Sequence, residues 1–286
     1  MLPGRTGPTY PDETFIDCNI KLPLQSTESM KYLRETIAVA QRILAELWCR
    51  KRSLIFWAIF PVLLLILNSL ILQERLQIPL EDAYTLAAPS TLVGAALFFS
   101  GLGGSLATVV SEREQHTLKR LFLSPLSGVS YFLGICLAYV VIGLGQTVLM
   151  YGLAFFQGAT FEGSIAAGLL IVLLSMAAYV GVGFVLGTQL ARRTEDVNSL
   201  VAAFGIPLMI LGGAFMPTDF FPESLVNLTR FNPIFHMIEA MVGIAAEGNT
   251  LAEVGEHVWF LGIFAVAMVG TGWLSYQRMV QVERQL

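Results

Sequence analysis

Charge is what this sequence has least of. Only 13% of its 286 residues are Asp, Glu, Lys or Arg, against 55% apolar, far from the balance of a water-exposed fold. The scarcity is concentrated: six stretches, 53–72, 89–110, 129–156, 165–190, 200–216 and 258–276, contain no Asp, Glu, Lys, Arg or His. Each is close to the roughly 20 residues that a helix needs to cross about 30 Å of hydrocarbon, the fifth being the shortest. Buried helices of a soluble bundle keep a polar face and these keep none, so all six are predicted to span a membrane. Spans without ionisable groups also argue against a proton or ion pump, which needs carboxylates or imidazoles along its path.

Other absences narrow the chemistry. No Gly-x-x-x-x-Gly-Lys-[Ser/Thr] phosphate loop occurs, and no Gly is followed by Lys, so the sequence offers no ATP site of that kind. A basic stripe with interleaved aromatics is also missing, which argues against nucleic acid as a partner. The three histidines and the three cysteines, Cys18, Cys49 and Cys136, lack metal-ligand spacing, and the cysteines fit unpaired thiols better than a disulfide frame. Gly103-Gly104-Ser105 lies inside the second stretch, as an intramembrane serine hydrolase would require, but no histidine lies deep in a later stretch to act as its base. No charged start and apolar run mark a cleavable signal, so the first span is expected to direct insertion.

The charges that are present fall unevenly. With the N-terminus in the cytoplasm, every Lys and Arg except Arg75 and Arg230 lies on the cytoplasmic side, where insertion favours them. Glu74, Glu81, Asp82, Glu162, Asp219, Glu223, Glu239, Glu247, Glu253 and Glu256 then lie outside. The expected topology is a multi-pass protein of the plasma (inner) membrane with both termini cytoplasmic. Residues 1–29, rich in Pro, Thr, Ser and acids, read as a flexible cytoplasmic tail. Over 30–52, Leu33, Ile37, Ala40, Leu44, Leu47 and Trp48 recur at helical spacing, with Lys31, Arg34, Glu35, Arg42 and Glu46 on the other faces. Such an amphipathic helix can lie along the inner surface, anchored by Trp48 and the basic residues that follow it, although a solvated helix fits the same pattern. The remainder, 53–286, is the six-helix transmembrane domain.

Two links hold most of the information. In 111–128, Glu112, Arg113 and Glu114 are expected to open a short helix with Leu118 and Leu121 or Phe122 on one side, and Pro125 to stop it. The 217–257 link is too long for a turn and too apolar for a free loop. Asn232-Pro233 signals a helix start there and Gly248 a stop; the helix between is too short to span, so it dips into the outer leaflet or caps the bundle, with a second short helix around 222–229. Within the spans, Gly101, Gly103, Gly104, Gly143, Gly145, Gly181, Gly183 and Gly187 are expected to let helix backbones approach, and Pro61 and Pro207 to bend spans one and five.

The order of these features resembles the permease subunits of type-2 ATP-binding-cassette exporters, specifically the daunorubicin-resistance-like branch, over roughly residues 30–286. Glu112-Arg113-Glu114 with Thr117-Leu118, Leu121 and Pro125 is similar to that family's coupling segment. Gly212-Gly213-Ala214-Phe215-Met216-Pro217, with Phe221-Pro222 and Asn232-Pro233, is similar to its motif at the end of span five and in the outer re-entrant helices. One departure is visible: many members carry an arginine after the last outer helix, where this sequence reads Met241-Val242-Gly243.

The resemblance implies an all-α integral membrane protein with an amphipathic surface helix, a cytoplasmic coupling helix and short outer re-entrant helices. It implies a homodimer, or a pair with a related permease, joined to two nucleotide-binding ATPase subunits that hold ATP and Mg, this chain binding no cofactor. Glu112, Arg113, Glu114, Thr117, Leu118 and Leu121 would couple to the ATPase. Phe98, Phe99, Phe204, Met209, Phe215 and Met216 would line or gate a path along spans two and five, although the same residues also fit a bundle core. Pro217, Asn232 and Pro233 would form the outer re-entrant motif. The cargo implied is amphipathic, lipid-linked or drug-like, with a lipid-linked polysaccharide as the alternative. A stand-alone channel or membrane enzyme, whose 111–128 link is merely a stable connection, is the competing class.

Overall fold

The computed structural model describes residues 28–49, 51–115 and 126–285, so most of the expected tail over 1–29 lies outside the described residues. Nine helices order the described chain: α1 (Glu28–Cys49), α2 (Lys51–Leu76), α3 (Leu80–Glu114), α4 (Gly128–Phe156), α5 (Ile165–Gln189), α6 (Thr194–Leu211), α7 (Glu223–Thr229), α8 (Pro233–Ala245) and α9 (Gly255–Gln285). The described residues contain no strand. Six helices, α2 to α6 and α9, are long and apolar enough to cross a bilayer, so the chain is an all-α integral membrane protein with six spans.

The spans are shifted from the charge-free stretches, for local reasons. The second span, α3, starts at Leu80, nine residues before the stretch at 89, because Pro79 sets its first turn and Glu81 and Asp82 sit where the helix dipole favours anions. Pro89 lies inside it, and two π-helical turns, Leu92–Ala96 and Phe98–Gly103, follow. Span five runs Thr194–Leu211 rather than 200–216. Asp196 accepts from the backbone N–H of Arg192 and Arg193 at 2.9 Å each and fixes its start, and Gly213, at φ +87, turns the chain out of the helix. Pro207 in span five falls just after a third π turn, Val201–Gly205, where the ladder is already displaced.

The third helix, α3, is the axis of the bundle: 78% of its most apolar window is buried, against 22% for α6 and 17% for α9, which therefore turn most of their surface outward. Glycine sets the closest approaches. A Cβ on Gly181 of α5 would fall 2.6 Å from the Met268 backbone of α9, and one on Gly183 would fall 2.9 Å from the Leu102 carbonyl of α3. Gly101, Gly104, Gly143 and Gly187 also meet neighbouring helices. Gly103 and Gly145 do not: nothing lies within 4 Å of a Cβ placed on either, because both face away from the core.

The amphipathic stripe of α1 divides in two. Thr36, Val39, Ala40 and Ile43 are buried, with Val39 seated on Gly134 of α4, whereas Leu33, Ile37 and Trp48 are exposed. An apolar stripe wider than one contact has one edge against the bundle and the other free for the bilayer surface. The two ends of the bundle differ in charge. One gathers α1, the ends of α3 and α5, the start of α4 and the C-terminal part of α9, and carries Lys31, Arg34, Arg42, Arg113, Arg192, Arg193 and Arg278. The other gathers the α2–α3 and α4–α5 turns, α7 and α8, and carries Glu81, Glu162, Glu239 and Glu247.

Candidate functional site

Three consecutive residues at the end of α3 tie the basic end together. Glu112 is 5% exposed and accepts from the Arg42 guanidinium of α1 and the Tyr131 hydroxyl of α4. Arg113 donates to the carbonyls of Gly187 and Ala191, 3.3 Å each, capping the C-terminal end of α5 where the dipole is negative. Glu114 accepts from the backbone N–H of Thr194, at 3.1 Å, and from the Thr194 hydroxyl, at the first residue of α6. Tyr131 also stacks on Tyr276 of α9, centroids 5.3 Å apart, which joins the sixth span to the cluster.

The helix ends just beyond, at Gln115, and Thr117, Leu118 and Leu121 lie outside the described residues. Where the chain returns, Ser127 caps α4, and its backbone N–H donates to Glu35 of α1 at 3.3 Å. The Ser130 hydroxyl reaches the Tyr32 carbonyl of α1 at 3.4 Å. Both ends of the 116–125 segment are therefore fastened to α1. The expectation that Glu112, Arg113 and Glu114 open a separate short helix is corrected: they close the second span, each engaged by a different neighbour. The partners, Arg42, Tyr131 and Thr194, stand 70, 19 and 80 residues away and leave no local signal.

In mid-bundle, spans two and five meet where their backbones depart from α geometry. Phe98 and Phe99 lie in the second π turn of α3, and Phe204 lies in the π turn of α6. Gly205 presses on the Phe98 ring so closely that a Cβ there would stand 2.2 Å from Cζ. Phe98 and Met209 are fully buried, Phe99 and Phe215 half-buried, and Phe204 and Met216 about half exposed. Phe60, Phe98 and Phe99 form an edge-to-face chain with centroids 5.1 and 5.2 Å apart. Nearby, Asn68 of α2 donates to Thr91 Oγ1 of α3 and to the Ala214 carbonyl after span five, 3.2 Å each. π turns are frequent at functional sites, yet composition gives no sign of them.

At the other end, Pro217 precedes a short turn, Thr218–Phe220, and α7 and α8 follow. Asn232 caps α8 by accepting from Ile234 N–H at 3.0 Å, Pro233 takes the first helical position, and the Asn232 amide donates to the Leu208 carbonyl at 2.6 Å. The start of α8 is thereby pinned to the end of span five. His236 Nδ1 lies 2.9 Å from His257 Nδ1 of α9, and its Nε2 lies 2.9 Å from the Arg230 carbonyl. A carbonyl only accepts, so the proton of neutral His236 is on Nε2 and His257 donates across the pair. Among the described residues no cluster of three or more His, Cys, Asp or Glu is arranged to hold a metal.

Comparison with known proteins places this arrangement. Over 175 residues the chain is 27% identical to the Escherichia coli K12 protein named "Probable multidrug ABC transporter permease YbhR", covering 60% of this chain and 47% of that one. It is 27% identical over 168 residues to the inner membrane transport permease YhhJ of the same strain, covering 56% and 42%. It is 23% identical over 195 residues to the linearmycin resistance permease protein LnrN of Bacillus subtilis 168, covering 67% and 50%. The chain thus spans about half the length of these relatives. The sequence profile of the ABC-2 family transporter proteins matches residues 77–274, from the α2–α3 turn into the last span, and on that match the chain belongs to the ABC-2 family.

Proposed function

We propose that this chain is the membrane-spanning permease subunit of an exporter driven by ATP that a separate nucleotide-binding subunit, with its Mg, hydrolyses. The observation that carries the reading is the fastening of both ends of the 116–125 segment to α1, with Glu112, Arg113 and Glu114 also linking its upstream end to three of the six spans, α4, α5 and α6. A force applied to that segment by an ATPase closing beneath it reaches α1, α4, α5 and α6 together. Thr117, Leu118 and Leu121 are the residues proposed to touch the ATPase, with Glu112, Arg113 and Glu114 transmitting the movement. The basic end is the cytoplasmic one, by the usual retention of Lys and Arg, and both termini belong there, in the plasma (inner) membrane.

In this reading two copies form the transporter, with the largely exposed span five at their interface. The path follows spans two and five, lined or gated by Phe98, Phe99 and Phe204, which lie in the π turns, and by Met209, Phe215 and Met216 further along span five and just beyond its end. Separation of Phe98 from Gly205 opens it, and Pro217, Asn232 and Pro233 hold the outer helices over its exit. The cargo is amphipathic, lipid-linked or drug-like, leaving from the cytoplasm or inner leaflet; the multidrug and resistance names of two relatives support that class. Membership of the daunorubicin-resistance-like branch is part of the proposal.

Co-purification tests it. The tagged chain, extracted in mild detergent from its native host, is expected to bring down an ATPase, and inverted vesicles are expected to take up an amphipathic dye when ATP is added. A chain that retains no ATPase and shows no ATP-dependent uptake would defeat the exporter reading. Leu118→Pro is expected to leave insertion intact while lowering both ATPase retention and uptake.

A further inference from the structure

A groove of about 370 Å³ runs between α4 and α5 near the acidic end, walled by Val148, Gly152 and Phe155 on α4 and Ile165 and Leu169 on α5, and closed above by Met241 of α8. It is more than twice the roughly 150 Å³ that suffices for a benzene ring. The Thr147 hydroxyl is bonded to the Gly143 carbonyl of its own helix at 2.9 Å, and the Tyr151 hydroxyl, which has no hydrogen-bond partner, is buried beneath the groove surface. Water needs two to four polar partners to settle in a cavity, and this surface does not supply them. The groove opens sideways, since Val148, Phe155 and Ile165 are 74%, 57% and 69% exposed, and both walls are membrane spans. What stands against it in the bilayer is hydrocarbon.

The rim above the groove has one sign of charge. Glu162 lies in the α4–α5 turn, next to the groove-lining Phe161, and its N–H donates to the Ala245 carbonyl at 3.0 Å, which brings the end of α8 alongside. Glu81 Oε2 lies 3.3 Å from the position of a Cβ on Gly158 of the same turn. Glu247 follows at the end of α8. The segments 80–88, 157–165 and 240–256 that make this rim contain no Lys or Arg. An acyl chain seated in the groove brings its headgroup level with these carboxylates, which repel a net-anionic headgroup and attract an ammonium.

We propose that this groove holds one acyl chain of a membrane lipid whose headgroup carries an amine, a zwitterionic phosphoethanolamine lipid rather than an anionic one. The inference stands on the membrane-spanning fold and on the charge of the rim, independently of the exporter reading. Gly152 provides the decisive variant. Nothing lies within 4 Å of a Cβ placed on it, so Gly152→Leu fills the groove without a clash and with a better helix former.

Native mass spectrometry of the full chain, released from nanodiscs of equimolar phosphatidylethanolamine and phosphatidylglycerol with matched acyl chains, reads the outcome. The wild type is expected to retain one phosphatidylethanolamine per chain, favoured about fivefold over phosphatidylglycerol, the scale of one exposed ion pair. Gly152→Leu is expected to lose it with an unchanged helical circular dichroism spectrum and melting point. Glu162→Gln is expected to keep a bound lipid while the headgroup preference falls at least twofold. Equal retention by Gly152→Leu, or a wild type that binds phosphatidylglycerol as well or better, overturns the proposal. So does efficient disulfide cross-linking of Val148→Cys between two chains, which would make a second copy the occupant.

Discussion

Removing Arg42 alone from the Arg42–Glu112–Tyr131 cluster is expected to cost more than removing Arg42 and the Glu112 charge together. The Glu112 side chain is 7% exposed and that of Arg42 37%, so the carboxylate is dry while its cation keeps one side in water. Deleting one member of a buried ion pair costs about 3–5 kcal/mol, because the other charge is left without compensation. The open side of Arg42 admits water to the site, and that screening lowers the expectation for Arg42→Met to about 2–3 kcal/mol. Glu112→Gln keeps the shape and a bond to the Tyr131 hydroxyl, and Arg42 then turns to solvent, so about 1–2 kcal/mol is expected. The double variant has no buried charge left and should resemble Glu112→Gln alone, giving a coupling of about 2 kcal/mol. Equilibrium unfolding in mixed micelles measures all four proteins. A chain of this size shifts its melting point by roughly 2–4 °C per kcal/mol, so the Arg42→Met shift is well resolved. Additivity of the two single changes within about 0.5 kcal/mol would show that the contact does not hold α1 to α3, and the transmission argument built on it would go.

Three further outcomes follow from single contacts. Gly205→Leu drives a side chain into the Phe98 ring and is expected to destabilise by about 2–3 kcal/mol, with partial relief by a second change, Phe98→Ala; unfolding curves that are unmoved by the first change count against the contact between spans two and five. Asn68→Leu strands the Ala214 carbonyl and the Thr91 hydroxyl, for a loss of about 1–2 kcal/mol read by thermal melting, and a melting point equal to wild type would dismiss the bridge. The Nδ1 atoms of His236 and His257 share one hydrogen bond at 2.9 Å, so His257→Phe, which leaves His236 Nδ1 without that partner, is expected to cost about 1–2 kcal/mol in thermal melting; an unmoved melting point would dismiss the pair as a tie between α8 and α9.

The six-span architecture was legible wherever the signal lies in composition along the chain. Six uncharged runs declare six spans because hydrocarbon tolerates no unpaired charge, and Asn232-Pro233 announces the start of α8 because capping uses neighbours in sequence. Helix ends were less legible. A charge-free window measures where charge stops and not where backbone hydrogen bonding stops, so α3 extends past both Glu81 and Glu112. The stripe on α1 showed that the helix is amphipathic but not that it serves two surfaces, one against Gly134 and one outward.

Membrane residence, the number of spans and the positions of the short helices α7 and α8 were determined by the sequence alone, because transfer into lipid and helix capping depend on residues close together in the chain. Only the tertiary structure decided that Glu112, Arg113 and Glu114 are fastened inward to α1, α4, α5 and α6, that Phe98 closes on Gly205, and that the groove beside Gly152 opens sideways from the bundle. Those outcomes depend on pairs separated by tens of residues, whose meeting is fixed by how whole helices pack, and no periodicity along one helix records what its neighbour presents.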